Sequence, residues 1–223
     1  MNQILAIIPA YNEEERIIPT LGQAMLYLPV LVVDDGSTDA TAALAMTAGA
    51  SVVRQIPNQG KGAALKAGFR YALDNGYEAI LMLDADGQHD PAEIPKFIEA
   101  FQQRGADLVI GQRDFSRMPF PRGMTNTIGR WMFSWAVGQE DVPDNQSGYR
   151  LISRRLLEAL VDSEEEDFEF EVEMIAICLK RGMKLEWVPI RTIYAGEGSH
   201  IRPLRHVVHY FRIVWKARQI MKS

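Results

Sequence analysis

The chain has 223 residues, enough for one sizeable core, and its 47% apolar and 24% charged residues are the balance of an ordinary globular protein. With 24 Lys and Arg against 29 Asp and Glu, the formal net charge of -5 excludes a general attraction for nucleic acid, so any basic surface has to be local. The single cysteine, Cys178, excludes a disulfide framework and, within Met174-Ile175-Ala176-Ile177-Cys178-Leu179, reads as a buried small hydrophobe.

The chain opens on Ile4-Leu5-Ala6-Ile7-Ile8, an apolar run too short for a signal peptide and lacking a cationic flank, so it reads as a first buried strand. Further β-branched or aliphatic runs at 30–33, 51–54, 79–83 and 108–110 are strands by the same criterion. Between them lie helical segments at 13–28, 38–48, 61–75 and 91–104, the last with Pro91 in its first turn. This alternation predicts an α/β fold in one domain, with a mostly parallel central sheet and helices on both faces. Ligands of such sheets bind at the carboxyl ends of the strands, which directs attention to the residues after each apolar run.

The second half, 113–223, is less regular. A polar loop with Arg113, Arg117 and Arg122 leads into a helix at 126–137, and a turn-rich stretch follows at 141–150. An acidic segment at 164–173 precedes a helix ending near Arg181-Gly182, then comes a strand-like run at 185–194 and a final helix after Pro203. No stretch reaches the ~18 apolar residues that span a bilayer. The expected location is cytoplasmic, with at most a peripheral contact on the cytoplasmic membrane face. Nothing in the sequence specifies an oligomeric state.

The strand ends carry the chemistry. They read Pro9-Ala10-Tyr11-Asn12-Glu13, Asp34-Asp35-Gly36-Ser37-Thr38-Asp39 and Asp84-Ala85-Asp86-Gly87-Gln88-His89-Asp90. Each alone could be a helix cap or a turn. Residues two apart on an extended segment project the same way, so Asp84 and Asp86, with Gln88 continuing that side, can face a hard cation, Mg²⁺ or Mn²⁺, that neutralises a diphosphate. A calcium loop counted from Asp84 would put His89 at the glycine position and Pro95 at the bidentate glutamate. A dinucleotide fingerprint is missing after the first strand, and Gln59-Gly60-Lys61-Gly62 lacks the rest of a phosphate loop.

Taken in order, Ile8-Pro9-Ala10-Tyr11-Asn12-Glu13, Val33-Asp34-Asp35-Gly36-Ser37-Thr38-Asp39, Asn58-x-Gly60-Lys61-Gly62, Asp84-Ala85-Asp86-Gly87-Gln88-His89 and Gln146-Ser147-Gly148-Tyr149-Arg150 resemble family 2 glycosyltransferases. Within that family they are most similar to the dolichol- or polyprenol-phosphate mannosyl- and glucosyltransferase branch. The resemblance implies a GT-A-type domain whose residues 1–112 bind a nucleotide-sugar donor and whose residues 113–223 face the acceptor. It places Pro9, Tyr11 and Glu13 near base and ribose, Asp35 on the nucleoside and Lys61 near the phosphates. Asp84 would contact the donor, while Asp86 and Gln88 hold the metal. Arg117, Arg130 and Arg150 would lie toward an acceptor that in this branch is a lipid phosphate.

Two departures bear on that acceptor. Many members of the branch carry carboxy-terminal membrane helices, and Glu197-Gly198-Ser199-His200-Ile201 has His200 where those enzymes often have Lys. A hydroxyl acceptor would need a general base, for which Asp144 is the candidate, whereas a phosphate is already an anionic nucleophile. Glu169, Glu171 and Glu173 read as carboxylates favoured by the dipole of the helix they precede. The alternatives are a nucleotidyltransferase, a phosphohydrolase with paired aspartates, and a non-catalytic sugar-nucleotide-binding protein. Residues 198–223 contain no acid, and Leu204, Val207, Val208, Phe211, Val214 and Trp215 recur at helical spacing. Such a basic amphipathic helix suits either docking on the domain or a membrane interface, where each cation near an anionic surface contributes about 1 kcal/mol.

Overall fold

The computed structural model describes residues 3–114, 122–139, 142–161, 169–191 and 203–222. The elements run β1 (Ile4–Ala10), α1 (Ile17–Ala24), β2 (Val30–Asp34), α2 (Thr41–Thr47), β3 (Ser51–Arg54), α3 (Lys61–Asp74), β4 (Ala79–Met82), a 3-10 turn (Pro91–Glu93), α4 (Ile94–Arg104) and β5 (Leu108–Arg113). They continue with α5 (Arg122–Val137), β6 (Arg150–Ser153), α6 (Arg154–Leu160), α7 (Glu169–Lys180), β7 (Leu185–Ile190) and α8 (Pro203–Lys222).

A seven-stranded sheet in the order β3-β2-β1-β4-β6-β5-β7 runs through both halves of the chain. Because side chains alternate across a strand, Leu5, Ile7, Leu31 and Val33 enter one core while Ile4, Ala6, Ile8, Val30 and Val32 enter the other. The first core is closed by Phe69 of α3, Phe133 of α5, Leu156 of α6, Phe170 of α7 and Val214 of α8. Ile17 and Leu21 of α1, Ala45 of α2, and Ile94 and Phe97 of α4 close the second. Burial on both faces is why these strands read as unbroken apolar runs. Cys178 lies in the first core, and burial pushes its thiol up to about 12, as a packing residue requires.

The chain leaves β1 for β2 on one side and later returns to β4 on the other, so the adjacent ends of β1 and β4 form the switch point where open sheets bind ligands. β6 was not expected. It is antiparallel to both β4 and β5, with Arg150 opposite Met82 and Ile110. An antiparallel strand starts where its neighbours end, so the loop before β6 is delivered to the ligand-binding edge.

Other differences have local causes. The expected helix at 13–28 shrinks to Ile17–Ala24 because the Glu13 and Glu14 N–H groups donate to Thr41 Oγ1 and Asp39 Oδ2, which holds 13–16 in turns. The helix expected at 126–137 begins four residues earlier, and the acidic segment joins α7 from Glu169. α6 follows β6 directly, its first turn capped by Ser153 Oγ, which accepts from Leu156 N–H. The strand at the second half's edge stops at Ile190, and 192–194 lie outside the described residues.

Gly111 of β5 has no room for a methyl group: a Cβ there would stand 2.7 Å from Ile190 Cδ1 and 3.1 Å from Phe97 Cζ. Gly111→Ala is expected to lower stability by about 1–3 kcal/mol through overpacking. Urea unfolding checks this, with a lower midpoint at unchanged slope as the expected result.

Candidate active site

The loops after β1, β2 and β3 are stitched to one another before any ligand arrives. Asn12 N–H donates to Ser37 Oγ at 2.9 Å, and Thr38 N–H donates to Asn12 Oδ1 at 2.9 Å. Asp35 takes the Gln59 and Gly60 N–H groups on its two carboxylate oxygens, both at 2.8 Å. Through these bonds Asp35, the expected nucleoside contact, also shapes the loop that starts α3. Buried Asp34 pairs with Arg54 Nε at 2.8 Å, and Arg54 Nη2 reaches Ser37 O at 2.6 Å. At the rim, Tyr11 is exposed, Pro9 half-buried, and half-buried Glu13 lies 3.8 Å from Arg16 Nη1.

The charged centre lies beside the end of β4. Lys61, the first residue of α3, places its ammonium 2.8 Å from Asp84 Oδ1 and 3.1 Å from Glu171 Oε1. Burial opposes the charge on Lys61, but Asp84 and then Glu171 overcome it and hold its pKa above the ordinary lysine value. Burial likewise works to raise the pKa of Asp84, and the Lys61 charge reverses the direction and holds it below the usual carboxylate value. Glu171 thus has a second role besides the dipole interaction read from its position near the start of α7. No spacing rule could link it to Lys61, 110 residues away.

Asp84 N–H donates to His89 Nδ1 at 3.0 Å, which makes that nitrogen an acceptor and the ring neutral. Burial agrees, lowering the pKa of His89 against the opposing pull of Asp84 and Asp86. The imidazole stacks on Tyr149 at 4.9 Å, Tyr149 stacks on Phe97 at 4.4 Å, and Tyr149 OH donates to Asp90 O at 3.2 Å. Gly148 is the close-approach residue: a Cβ on it would stand 2.9 Å from Asp84 Oδ2 and 3.4 Å from Lys61 Nζ. The delivery of 144–149 by antiparallel β6 is what brings it there.

The expected extended geometry of residues 84–88 is not observed. Strand pairing stops at Met82, Ala85 and Asp86 form a turn, and Asp86 Oδ1 accepts the Gln88 N–H at 2.9 Å. Asp84 therefore points to Lys61 while Asp86 and exposed Gln88 occupy the turn. As oxygen donors, Asp86 and Gln88 fit a hard cation that takes its other ligands from a diphosphate and water. Among the described residues, no cluster of three or more His, Cys, Asp or Glu side chains forms a cage made by protein alone.

Two candidate residues of the second half are buried and already bonded. Arg150 is 0% exposed, and its guanidinium donates to the carbonyls of Ser147 at 2.7 Å, Asn145 at 3.0 Å and Glu171. Asp144 is 1% exposed, and both its oxygens accept from Arg113, Nε at 2.7 Å and Nη2 at 2.9 Å. Arg130 is half-buried, and its Nε lies 3.4 Å from Val142 O. Arg117 and His200 lie outside the described residues.

The Glycosyl transferase family 2 profile matches residues 5–161. The chain is a family 2 glycosyltransferase. It is 36% identical over 214 residues to the undecaprenyl-phosphate mannosyltransferase of Micrococcus luteus, covering 88% of this chain and 86% of that one. With the polyprenol monophosphomannose synthase of Mycolicibacterium smegmatis it shares 34% identity over 208 residues, 83% of this chain and 76% of that one. Similarity to such proteins places this glycosyltransferase with the polyprenol-phosphate branch. Glucosyl-3-phosphoglycerate synthase of Mycobacterium tuberculosis, solved with phosphoglyceric acid, has the same GT-A-like fold, with a TM-score of 0.74 at 22% identity over 97% of this chain and 80% of that one. The same synthase has been solved with Mn²⁺, UDP and glucosyl-3-phosphoglycerate.

Replacing Arg150 by Leu in this glycosyltransferase would remove the donor shared by the Asn145 and Ser147 carbonyls of a buried loop and the Glu171 carbonyl of α7. Arg150→Leu is expected to cost at least ~3 kcal/mol of stability. Denaturant unfolding checks it; wild-type stability with only a raised KM for the acceptor would instead support an acceptor role for Arg150.

Proposed function

We propose that this glycosyltransferase moves a sugar from a nucleotide-sugar donor to a polyprenol phosphate, inverting the anomeric centre with the help of Mg²⁺ or Mn²⁺. The observation that carries the reading is the convergence, at the switch point of the sheet, of Lys61 at the amino terminus of α3, Asp84, and the Asp86–Gln88 turn. Residues 1–112 serve as the donor half and 113–223 as the acceptor half. Pro9, Tyr11 and Glu13 line the rim where base and ribose would lie, with Asp35 shaping the wall behind them. The relatives from Micrococcus luteus and Mycolicibacterium smegmatis, named for undecaprenyl phosphate and polyprenol phosphate, support the acceptor class.

Asp86 and Gln88 would hold the cation, whose chemistry is to neutralise the donor diphosphate as it departs. Lys61, kept charged by Asp84 and Glu171, adds a fixed positive charge at the same end of the sheet. An oxygen lone pair of the acceptor phosphate attacks the anomeric carbon from the face opposite the diphosphate. The carbon–oxygen bond to the diphosphate breaks, and its electron pair leaves with the nucleoside diphosphate. No proton has to be removed from a phosphate nucleophile, which accords with Asp144 being buried against Arg113. Arg117 and Arg130 remain the cations proposed for the acceptor side.

Asp86→Ala is expected to abolish the Mn²⁺-dependent part of donor binding while changing stability by no more than about 0.5 kcal/mol, since the turn is partly exposed. Calorimetric titration of UDP- and GDP-linked sugars with and without Mn²⁺ checks it. Unaltered metal-dependent binding would remove Asp86 from the metal site. The stereochemical expectation is that an α-linked donor gives a β-linked first product. Proton NMR of that product decides the point, and retained configuration would contradict direct displacement.

A further inference from the structure

α8 shows two unlike faces. Val214 and Ala217 are buried in the core against α5 and α7, so part of the apolar stripe read from the sequence docks on the domain. Trp215, the next residue of that stripe, does not: it is 68% exposed. On α5, Trp131 is 72% and Trp135 is 60% exposed. The three tryptophans, with Met132, Val214 and Arg218, line one groove of about 340 Å³ between the two helices. An apolar surface of this kind is uncommon on a protein that meets only water.

We infer that this two-helix tryptophan surface seats the protein on an anionic lipid bilayer. Charge complementarity selects that occupant. Neither α5 (122–137) nor α8 (203–222) contains a single Asp or Glu, although the whole chain is acidic. Arg218 lies over the Trp135 ring at 4.8 Å and donates to Trp135 O at 3.3 Å, which fixes a cation at the groove. Arg212 and Lys222 of α8 are exposed. Indole rings favour the headgroup region, where an apolar body and a polar N–H are both accommodated, and cations beside them meet lipid phosphates. Among the described residues no helix is long and apolar enough to cross a membrane, so this contact is a surface one.

The surface is braced to the candidate active site. Ser134 Oγ on α5 accepts the Val142 N–H at 2.9 Å, and Arg130 Nε lies 3.4 Å from Val142 O. Two residues on, Asp144 is locked to Arg113 at the end of β5. A bilayer on the tryptophans would thus lie against the wall of the acceptor half. The inference rests on the lipid-phosphate reading for its purpose but not for its observations.

The test is co-sedimentation of the full chain with vesicles of phosphatidylcholine alone and with phosphatidylglycerol added, together with tryptophan emission. The expected result is binding only to the anionic vesicles, weakened by salt, with a blue-shifted emission. Trp131→Gln with Trp215→Gln, both far exposed and therefore tolerated by the fold, should weaken vesicle binding at least tenfold. Arg212→Glu with Lys222→Glu should remove the preference for anionic lipid. Wild-type binding by the tryptophan variant, or no binding by the full chain at low salt, would overturn the inference. So would a lipid-free dimer that the tryptophan variant breaks, which would make the surface a contact between copies. Transfer to a short, water-soluble prenyl phosphate separates the two readings. Wild type and tryptophan variant should use it equally; if neither does while vesicle binding holds, the acceptor reading fails and the surface stands.

Discussion

One ammonium group, that of Lys61, organises the site. Carboxylates crowded at a partly buried site call for a counter-charge, and the end of β4 and the start of α7 each bring a carboxylate to the same place. Lys61 answers both, so α3, the loop after β4 and α7 are joined through a single charge although they come from distant parts of the sequence. Removing that charge would leave Asp84 and Glu171 facing each other across Gly148 with nothing between them but repulsion. The half-buried pair is weak evidence for stability, because screening and desolvation offset much of the attraction. It is good evidence for geometry, since neither carboxylate has a comparable place to go.

The second constraint is the direction of β6. Had the strand between β4 and β5 run parallel to them, the segment before it would have entered from the opposite edge of the sheet. Running antiparallel, it brings Asp144, Gly148 and Tyr149 to the ligand edge and starts the strand with Arg150. The guanidinium then serves the loop it follows, gathering carbonyls of Asn145 and Ser147 and one from α7. A residue with five donors and no acceptor is suited to a loop whose carbonyls have lost access to water.

These constraints explain what the sequence disclosed and what it hid. The first five strands and their helices were legible because each is a buried apolar run or a periodic segment with recognisable ends, and the α/β architecture followed from their alternation. β6 was hidden because Arg150-Leu151-Ile152-Ser153 is four residues long and begins with a charge, so it looks like the end of a polar loop. α6 was hidden for a similar reason: seven residues headed by Arg154 and Arg155 give too little periodicity to read. In the site, strand-end residues were legible as a set, since the fold forces them to one edge. The partners of Asp35, Asp144, Arg150 and Glu171 were not, because a sequence shows which groups can be charged but not which become buried, and burial decides whom each must pair with.

The two aspartates of Asp84-Ala85-Asp86 show how far a motif can mislead when its backbone is guessed. On an extended strand they would be equivalent, two carboxylates aimed at one cation. The strand ends at Met82, so the turn at Ala85 and Asp86 gives them different surroundings. Asp84 faces Lys61, whose charge keeps it ionised, and its N–H donates to the neutral imidazole of His89, which fixes the backbone behind it. Asp86 spends one oxygen on the Gln88 N–H and stays near solvent, where an ion can exchange its water for a carboxylate at small cost. The His89, Tyr149 and Phe97 stack fixes the far end of the turn against the second core. One acid held by a lysine and a neighbouring acid held by its own turn is a division that spacing alone could not reveal, and the turn between them is what creates it.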